Sequence, residues 1–564
     1  MYNKKTQFYE LMIDEKNAKF DVILDGCEFS ALDVRSAVNQ TSDSFEVIID
    51  AEEHIPTLVS VEENGKNTIF TWESESSLWS KKIYTLECTP LRFIYKFKVF
   101  GHGKVDGVDY FSGNRADRAC GSSFEFDRGF IPLATLPYED DYWFKSSEKC
   151  SRLDELMIPP MFCYAFSCQG ITKKLMLGLI AEKGEHNFHR FIYDHSSMTD
   201  KGGGFFLSTD QHGHTSVDGE WTAPYIIGYG DEEVFEGLRK YSDFYFSSGI
   251  AAPKKNALVP KFWHGPIACG WTEQYAMRGS SSIFDACNQP VYENYINKLH
   301  EAGLYPRCLI IDDKWMTSYL TDIADEKKWP DLREFVDARH SQGIHTMLWF
   351  KLFDPDKVNG NFIIHADNED RLIDPSHPEY IKLLDDALYR ILSSDEGCYD
   401  CDGLKVDFAF FNPYGRNFTT YSGKYGAELL FDYTRHIYEK AKEIKPYAII
   451  NCSPAHPYFA AYCDQARIHD YDSANRSCKG DMKMRAKIFS IAMPGVLIDT
   501  DGGGRNTRRD VMRFLLAQPE FGIPDIYCIS PLPYLKFTED DLATLSAVWG
   551  EYTDRIDAMY DDVK

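Results

Sequence analysis

The hexapeptide Gly403-Leu404-Lys405-Val406-Asp407-Phe408 is a short apolar run that ends in a carboxylate, with a lysine two residues earlier. Side chains alternate along a strand, so a strand here projects Lys405 and Asp407 to one face. A lysine beside an aspartate keeps it ionised at neutral pH. An ionised carboxylate fixed at a strand end suits a nucleophile that attacks a sugar carbon. A lone Lys-x-Asp is more often an ordinary ion pair, and Asp312-Asp313-Lys314-Trp315 taken alone reads as a helix N-cap. The balance shifts because the signal recurs. Trp271, Asp312 and Asp313, Trp349, Asn451 and Cys452, Asp470 and Asp472, and Asp499 and Asp501 all lie at the ends of short apolar runs. A ring of carboxylates with tryptophans among them matches the minimum for glycoside hydrolysis, two carboxyl groups flanking a glycosidic bond. A magnesium site of the enolase type is the competing use of such a ring. A lysine beside Asp407 disfavours it by repelling a cation.

Short apolar runs alternate with helical patterns over this region. The runs are 267–270, 308–311, 345–350, 403–408, 448–451, 465–468, 495–498 and 526–529. Helical patterns at 291–302, 332–342, 378–392 and 428–443 lie between them. Eight strand–helix units in about 300 residues predict a (β/α)8 TIM barrel, whose chemistry sits at the C-terminal ends of its strands. A doubly wound sheet is the alternative, but no glycine-rich phosphate loop follows the first strand. Gly502-Gly503-Gly504 lacks the lysine of a phosphate-binding loop and reads as a tight turn. Residues 1–250 have another texture: short strands such as 20–24, 45–49, 91–100, 161–168 and 174–180, separated by turn signals. They predict a β-sandwich domain, then a linker at 251–261 and a catalytic barrel at 262–564.

The 564 residues exceed what one core usually serves. With 61 basic against 87 acidic residues, the net charge is -26. That argues against nucleic acid and anionic membrane surfaces as partners, since both select basic patches. Aromatic residues make up 15%, enough for a large core and for sugar-stacking platforms. The fifteen cysteines are scattered, and Cys398-Tyr399-Asp400-Cys401 has no second pair at metal spacing, so a zinc site is not expected. The polar start and the reduced-thiol pattern lead to the expectation of a cytoplasmic protein. No run approaches the ~20 apolar residues of a membrane span. A homo-oligomer remains open.

Several of these segments are similar to glycoside hydrolase family 36 of clan D, the α-galactosidase and raffinose-synthase relatives. Gly270-Trp271-Thr272-Glu273-Gln274-Tyr275 resembles the family's first-strand motif, and Ile310-Ile311-Asp312-Asp313 its hydroxyl-binding aspartate pair. Gly343-Ile344-His345-Thr346-Met347-Leu348-Trp349-Phe350 resembles its third strand, and Leu404-Lys405-Val406-Asp407-Phe408 its nucleophile strand. Asn451-Cys452-Ser453-Pro454, Arg467-Ile468 and Asp499-Thr500-Asp501 resemble the ends of strands five, six and seven. The resemblance implies an N-terminal β-supersandwich before the barrel and a retaining α-glycosidase that needs no metal or organic cofactor. Asp407 would be the nucleophile. The acid/base would be Asp472 in preference to Asp470; the family position four residues after the arginine is Tyr471 here. Asp312 and Asp313 would bind sugar hydroxyls O4 and O6, and Lys405 and Arg467 the ring hydroxyls. Trp271 and Trp349 would stack on the ring, Cys452 would face the C2 substituent, and Asp501 would complete the seventh-strand motif. An α-galactoside is the expected substrate. α-N-acetylgalactosaminide hydrolysis, raffinose-synthase-like transglycosylation and non-catalytic carbohydrate binding are the alternatives. Lys351 and Phe353-Asp354-Pro355-Asp356 depart from the family pattern after the third strand.

Overall fold

The computed structural model describes all residues except 113–122, 125–130, 134–158, 169, 195–204, 256–258, 473–477, 503, 506 and 561–564. The side chains of 123, 124, 131–133, 194, 206, 471, 472, 504 and 505 are also outside the description. Two architectures follow one another along the chain. The first is antiparallel: a five-stranded sheet and a twelve-stranded sheet whose longest members, Phe93–Tyr110 and Phe206–Thr222, pair with each other. Alternation drives both sheets, as in Lys19–Leu24 and Lys81–Cys88, where every second residue is buried. Leu11 and Phe20 of one sheet share a core with Phe93 and Tyr95 of the other, and the Phe20 and Phe93 rings meet edge-on at 5.8 Å. This is the expected sandwich.

The second architecture is a ring of eight parallel strands: β1 (Ile267–Cys269), β2 (Cys308–Ile311), β3 (His345–Lys351), β4 (Gly403–Asp407), β5 (Ile449–Cys452), β6 (Gln465–Arg467), β7 (Leu497–Asp499) and β8 (Asp525–Ile526). Pairing of β8 with β1 and a parallel bridge from Asp499 to Ile523 bring the ends of the sheet together. Parallel strands packed on both faces are apolar throughout, so parity assigns the sides. Ile267, Cys269, Cys308, Ile310, Met347, Ile449, Ile523 and Tyr527 form a separate cluster with Trp263 inside the ring. Ile450, Cys452, Leu404 and Val406 belong to the larger core between strands and helices.

The last strand differs from the expected 526–529. It ends at Ile526 because the buried Glu273 takes the chain that follows. Glu273 N–H donates to the Tyr527 carbonyl at 2.8 Å, and its carboxylate accepts from Ile529 N–H and Ser530 N–H at 3.0 Å each. The presumed linker is also pinned: Lys254 pairs with Asp464 at 2.7 Å. No helix among the described residues is long and apolar enough to cross a membrane.

The two architectures meet over the loop that follows β4. Arg416 forms a bidentate pair with Asp106 at 2.5 and 3.1 Å, and the His214 ring stacks on Tyr425 at 4.1 Å. The first turn of a helix leaves its N–H groups unpaired. In Gly426–Ile444 the N–H groups of Ala427 and Glu428 donate to carbonyls of Phe188 and His186, each at 2.9 Å. Gly426 makes this docking possible, with φ at +59° and the Phe188 oxygen only 2.1 Å from where a Cβ would sit. Gly426→Ala is therefore expected to lower stability by about 2 kcal/mol or more. Gly423→Ala, at φ +72° with open space around it, should cost only about 1 kcal/mol. Urea unfolding of the two variants measures the difference; equal costs would mean the close approach to Phe188 is unimportant.

Candidate active site

The C-terminal ends of the barrel strands enclose a cavity of about 230 Å³. Its lining brings together Trp271, Asp312, Asp313, Trp349, Lys405, Asp407, Arg467 and Asp470, all expected from the sequence. It adds Phe408, Phe410 and His469. The volume lies below the roughly 300–1,000 Å³ of drug-sized ligand sites, which suits one sugar ring.

Asp407 ends β4 pointing inward. Its Oδ1 accepts from Arg467 Nη2 at 2.7 Å and from Phe408 N–H at 2.8 Å. Its Oδ2 accepts from the Trp349 indole N–H at 3.1 Å. Phe408 adopts a left-handed φ of +67°, which turns its N–H back onto the carboxylate. Burial alone would push the Asp407 carboxyl up. The charges of Arg467 and Lys405 outweigh it and hold the group well below the ordinary carboxylate range.

The expected Lys405–Asp407 pair is a correction. Lys405 Nζ pairs with Asp312 Oδ2 at 2.7 Å across the barrel, and Arg467 is the cation in contact with Asp407. Neighbours at i and i+2 share a face but sit ~6.6 Å apart along it; the ammonium reaches the carboxylate that converges on it. Asp312 is placed by Tyr292, whose hydroxyl accepts its backbone N–H at 2.8 Å and donates to Gln274 Oε1 at 2.7 Å. That hydroxyl lies 1.9 Å from where a Cβ on residue 270 would sit, so only Gly270 fits before Trp271. Asp313 is buried beside Asp312, and both effects push its carboxyl up to about 6.

Arg467 is itself buried between acids. Its Nη1 donates to Asp501 Oδ2 at 3.0 Å and lies 3.8 Å from Asp470 Oδ1. Asp501 does not line the cavity; it backs the arginine, and its N–H donates to Asp499 Oδ1 at 3.0 Å. Asp470 projects into the cavity with its side chain 44% exposed. Desolvation and the charge of Asp501 push it up to about 7, against the pull of Arg467 and Lys405. Arg485, on the helix Cys478–Ala492, donates Nη1 to the carbonyls of Ile468, His469 and Asp470 at 3.2, 3.2 and 2.9 Å. It clamps the turn that follows β6. The strand Tyr471–Asp472 pairs in parallel with Gly504–Arg505; the Asp472 side chain, the sequence-based choice for acid/base, lies outside the described residues.

Cys452 is a second correction. On β5, Ile449 and Asn451 face the barrel interior, so Cys452 alternates into the layer between strands and helices, with Ile450 and Ala466. Its thiol is pushed up by hydrogen bonding to Cys463 and by burial. Trp349 is buried and turns its N–H to Asp407, while Trp271 is half-exposed at the cavity wall. His469, Tyr292 and Arg485 were missed by the sequence reading. The spacing of His469 two residues after Arg467 was the available signal for one of them.

Imidazole and carboxylate atoms of His340, His345 and Asp402 lie within 4.8 Å of one another at the N-terminal ends of β3 and β4. Ion pairing accounts for this grouping: His340 Nε2 contacts Asp402 Oδ2 at 2.7 Å, and Lys445 Nζ lies 3.4 Å from Oδ1. The lysine competes with any metal there.

No protein-family model matches the chain, and no curated protein matches it. Solved structures do. A family 31 sulfoquinovosidase from E. rectale, bound to an aza-sugar inhibitor, aligns over 98% of this chain and 83% of its own, at TM-score 0.55 and 12% identity. A cycloalternan-degrading enzyme from Trueperella pyogenes aligns over 94% and 81%, at 0.51 and 12%. A cycloalternan-forming enzyme from Listeria monocytogenes aligns over 95% of this chain but 57% of its own, at 0.52 and 12%. The shared fold is a sandwich followed by a TIM barrel. These neighbours are of family 31 type, also in clan D, and not of the family 36 that the motifs resemble.

Removing the ammonium from the buried Lys405–Asp312 pair strands a carboxylate in the barrel. Lys405→Met should cost about 3–5 kcal/mol of stability, and Lys405→Met with Asp312→Leu should recover much of it. A double-mutant cycle by denaturant unfolding checks this; independent, additive effects would refute the coupling.

Proposed function

We propose that the chain is a retaining α-glycosidase that acts on the terminal residue of an α-linked glycoside. The carrying observation is a pair of carboxyl groups in one sugar-sized cavity whose environments push them apart. Asp407 is held ionised by Arg467, and Asp470 is raised to about 7. Such a divergence assigns nucleophile and acid. The likeness to clan D enzymes and the family 36 motifs support the same reading.

Asp407 attacks the anomeric carbon as the bond to the leaving oxygen breaks, and the Asp470 proton passes to that oxygen. An ester between Asp407 and the sugar results. Asp470, now ionised, takes a proton from water, which attacks the anomeric carbon and releases Asp407. Trp349 and the Phe408 N–H hold the nucleophile in place, and Asp312 and Asp313 face the sugar hydroxyls. Asp470 is taken as the acid because it lines the cavity and holds its proton to about 7. The motif resemblance favours an α-galactoside as substrate.

Proton NMR of hydrolysis should show the α-anomer first, and a fluorinated slow substrate should label Asp407. A β-anomer first, or labelling elsewhere, would overturn the assignment. On a panel of nitrophenyl α-glycosides, the best substrate should be the galactoside; a better glucoside would move the sugar but keep the mechanism. No turnover on any would favour the carbohydrate-binding alternative.

Because Asp470 must carry its proton in the first step, kcat/KM on alkyl glycosides should fall as pH rises through about 7. Asp470→Ala should lose about 10²–10⁴-fold on alkyl glycosides. It should keep some activity on nitrophenyl ones, lack the alkaline limb and be rescued by azide. If Asp472→Ala shows that pattern instead, the role passes to Asp472.

A further inference from the structure

His469 is almost fully enclosed, at 3% exposure, yet it lines the cavity. In the chain it falls between Arg467, which holds the nucleophile, and Asp470. Three observations set it apart from a core histidine. Its backbone is left-handed, with φ at +64°, a conformation that is strained for a non-glycine residue and persists where the surroundings enforce it. Arg485 enforces it by binding the carbonyls of residues 468, 469 and 470. Its Nε2 is buried with no hydrogen-bond partner among the described residues. Buried polar atoms are nearly always paired. Arg467 Nε and Asp313 Oδ1, on two other cavity-lining residues, share the same condition. Partners for such atoms are what a bound polyhydroxylated ring supplies. Burial and the nearby Arg467 charge keep the imidazole neutral, with one donor and one acceptor nitrogen.

We propose that His469 is a substrate-contacting specificity residue whose imidazole hydrogen-bonds the hydroxyl on C2 of the sugar. The inference rests on the glycosidase reading. His469 precedes Asp470 in the chain and its imidazole feels the charge of Asp407, so it lies near the reacting centre, and the sugar hydroxyl nearest that centre is the one on C2. This moves the reading of C2 from Cys452, which faces away, to the turn after β6. Hydrogen bonds to that hydroxyl tighten as the ring flattens toward the transition state, so the contact should count in kcat as well as in KM.

The test compares kcat/KM on the best nitrophenyl α-glycoside and on its 2-deoxy analogue. His469→Asn is the variant of choice, because asparagine tolerates the left-handed backbone and its short amide withdraws from the cavity. His469→Gln, which restores reach, is the second. Wild type should prefer the hydroxylated sugar by at least 10²-fold; His469→Asn should lower that preference at least 10-fold, and His469→Gln should recover part of it. An unchanged preference in His469→Asn overturns the proposal even if overall activity drops. A readout independent of turnover is the His469 imidazole signal in ¹⁵N NMR, assigned by its loss in His469→Asn, during titration with free galactose, glucose and N-acetylgalactosamine. A shift with a monosaccharide that calorimetry shows to bind supports the contact, even if no nitrophenyl glycoside is cleaved and the glycosidase reading fails. Binding without a shift, or no binding of any of the three, overturns it.

Discussion

The arrangement depends on Arg467, a guanidinium sealed in the barrel between Asp407 and Asp501. Its planar fork can serve two carboxylates at once, at 2.7 and 3.0 Å, which a single ammonium could not do with the same geometry. Burying that charge is costly, and burying either acid without it would cost as much. Together they hold one carboxylate ionised in a site closed to most solvent. Asp501 serves by lying behind the arginine, and Asp499 orients Asp501. Lys405 and Asp312 form a second pair across the same floor. Fixed opposite charges of this kind let an enzyme meet developing charge on a sugar without reorganising at the moment of reaction.

Much of this was legible in the sequence, for identifiable reasons. The barrel showed because short apolar runs alternated with helical patterns, and the cavity residues showed because polar groups punctuated the ends of those runs. What failed was distance and parity. Lys405 shares a face with Asp407, but a shared face does not say which carboxylate an ammonium reaches. Cys452 follows Asn451 on a strand buried on both its interior and its helix side, so alternation of burial left no contrast by which to orient it. Tyr527-Cys528-Ile529 reads as strand; only the buried carboxylate of Glu273, some 250 residues earlier, diverts it.

Other features have no local signature at all. The role of Arg485 comes from the middle of a helix meeting a turn in space, and Tyr292 reaches Asp312 from a different helix. Both act by satisfying backbone groups, which every residue has, so side-chain identity alone announces nothing. The acid was ambiguous for a related reason. Asp470 and Asp472 both follow β6 in the chain, and spacing alone does not choose between them; the surroundings of Asp470, with Asp501 close by, raise its affinity for a proton.

The N-terminal sandwich caps the helix Gly426–Ile444 with its own carbonyls and clamps Arg416. Phe408 and Phe410, two walls of the cavity, begin the loop that runs into this seam. The cavity wall is therefore framed in part by a surface none of whose described residues lines it. Sequence drift in the sandwich, far from any reacting atom, can reshape the rim through this seam while every catalytic side chain stays the same. Two chains with identical barrels could in this way come to prefer different sugars.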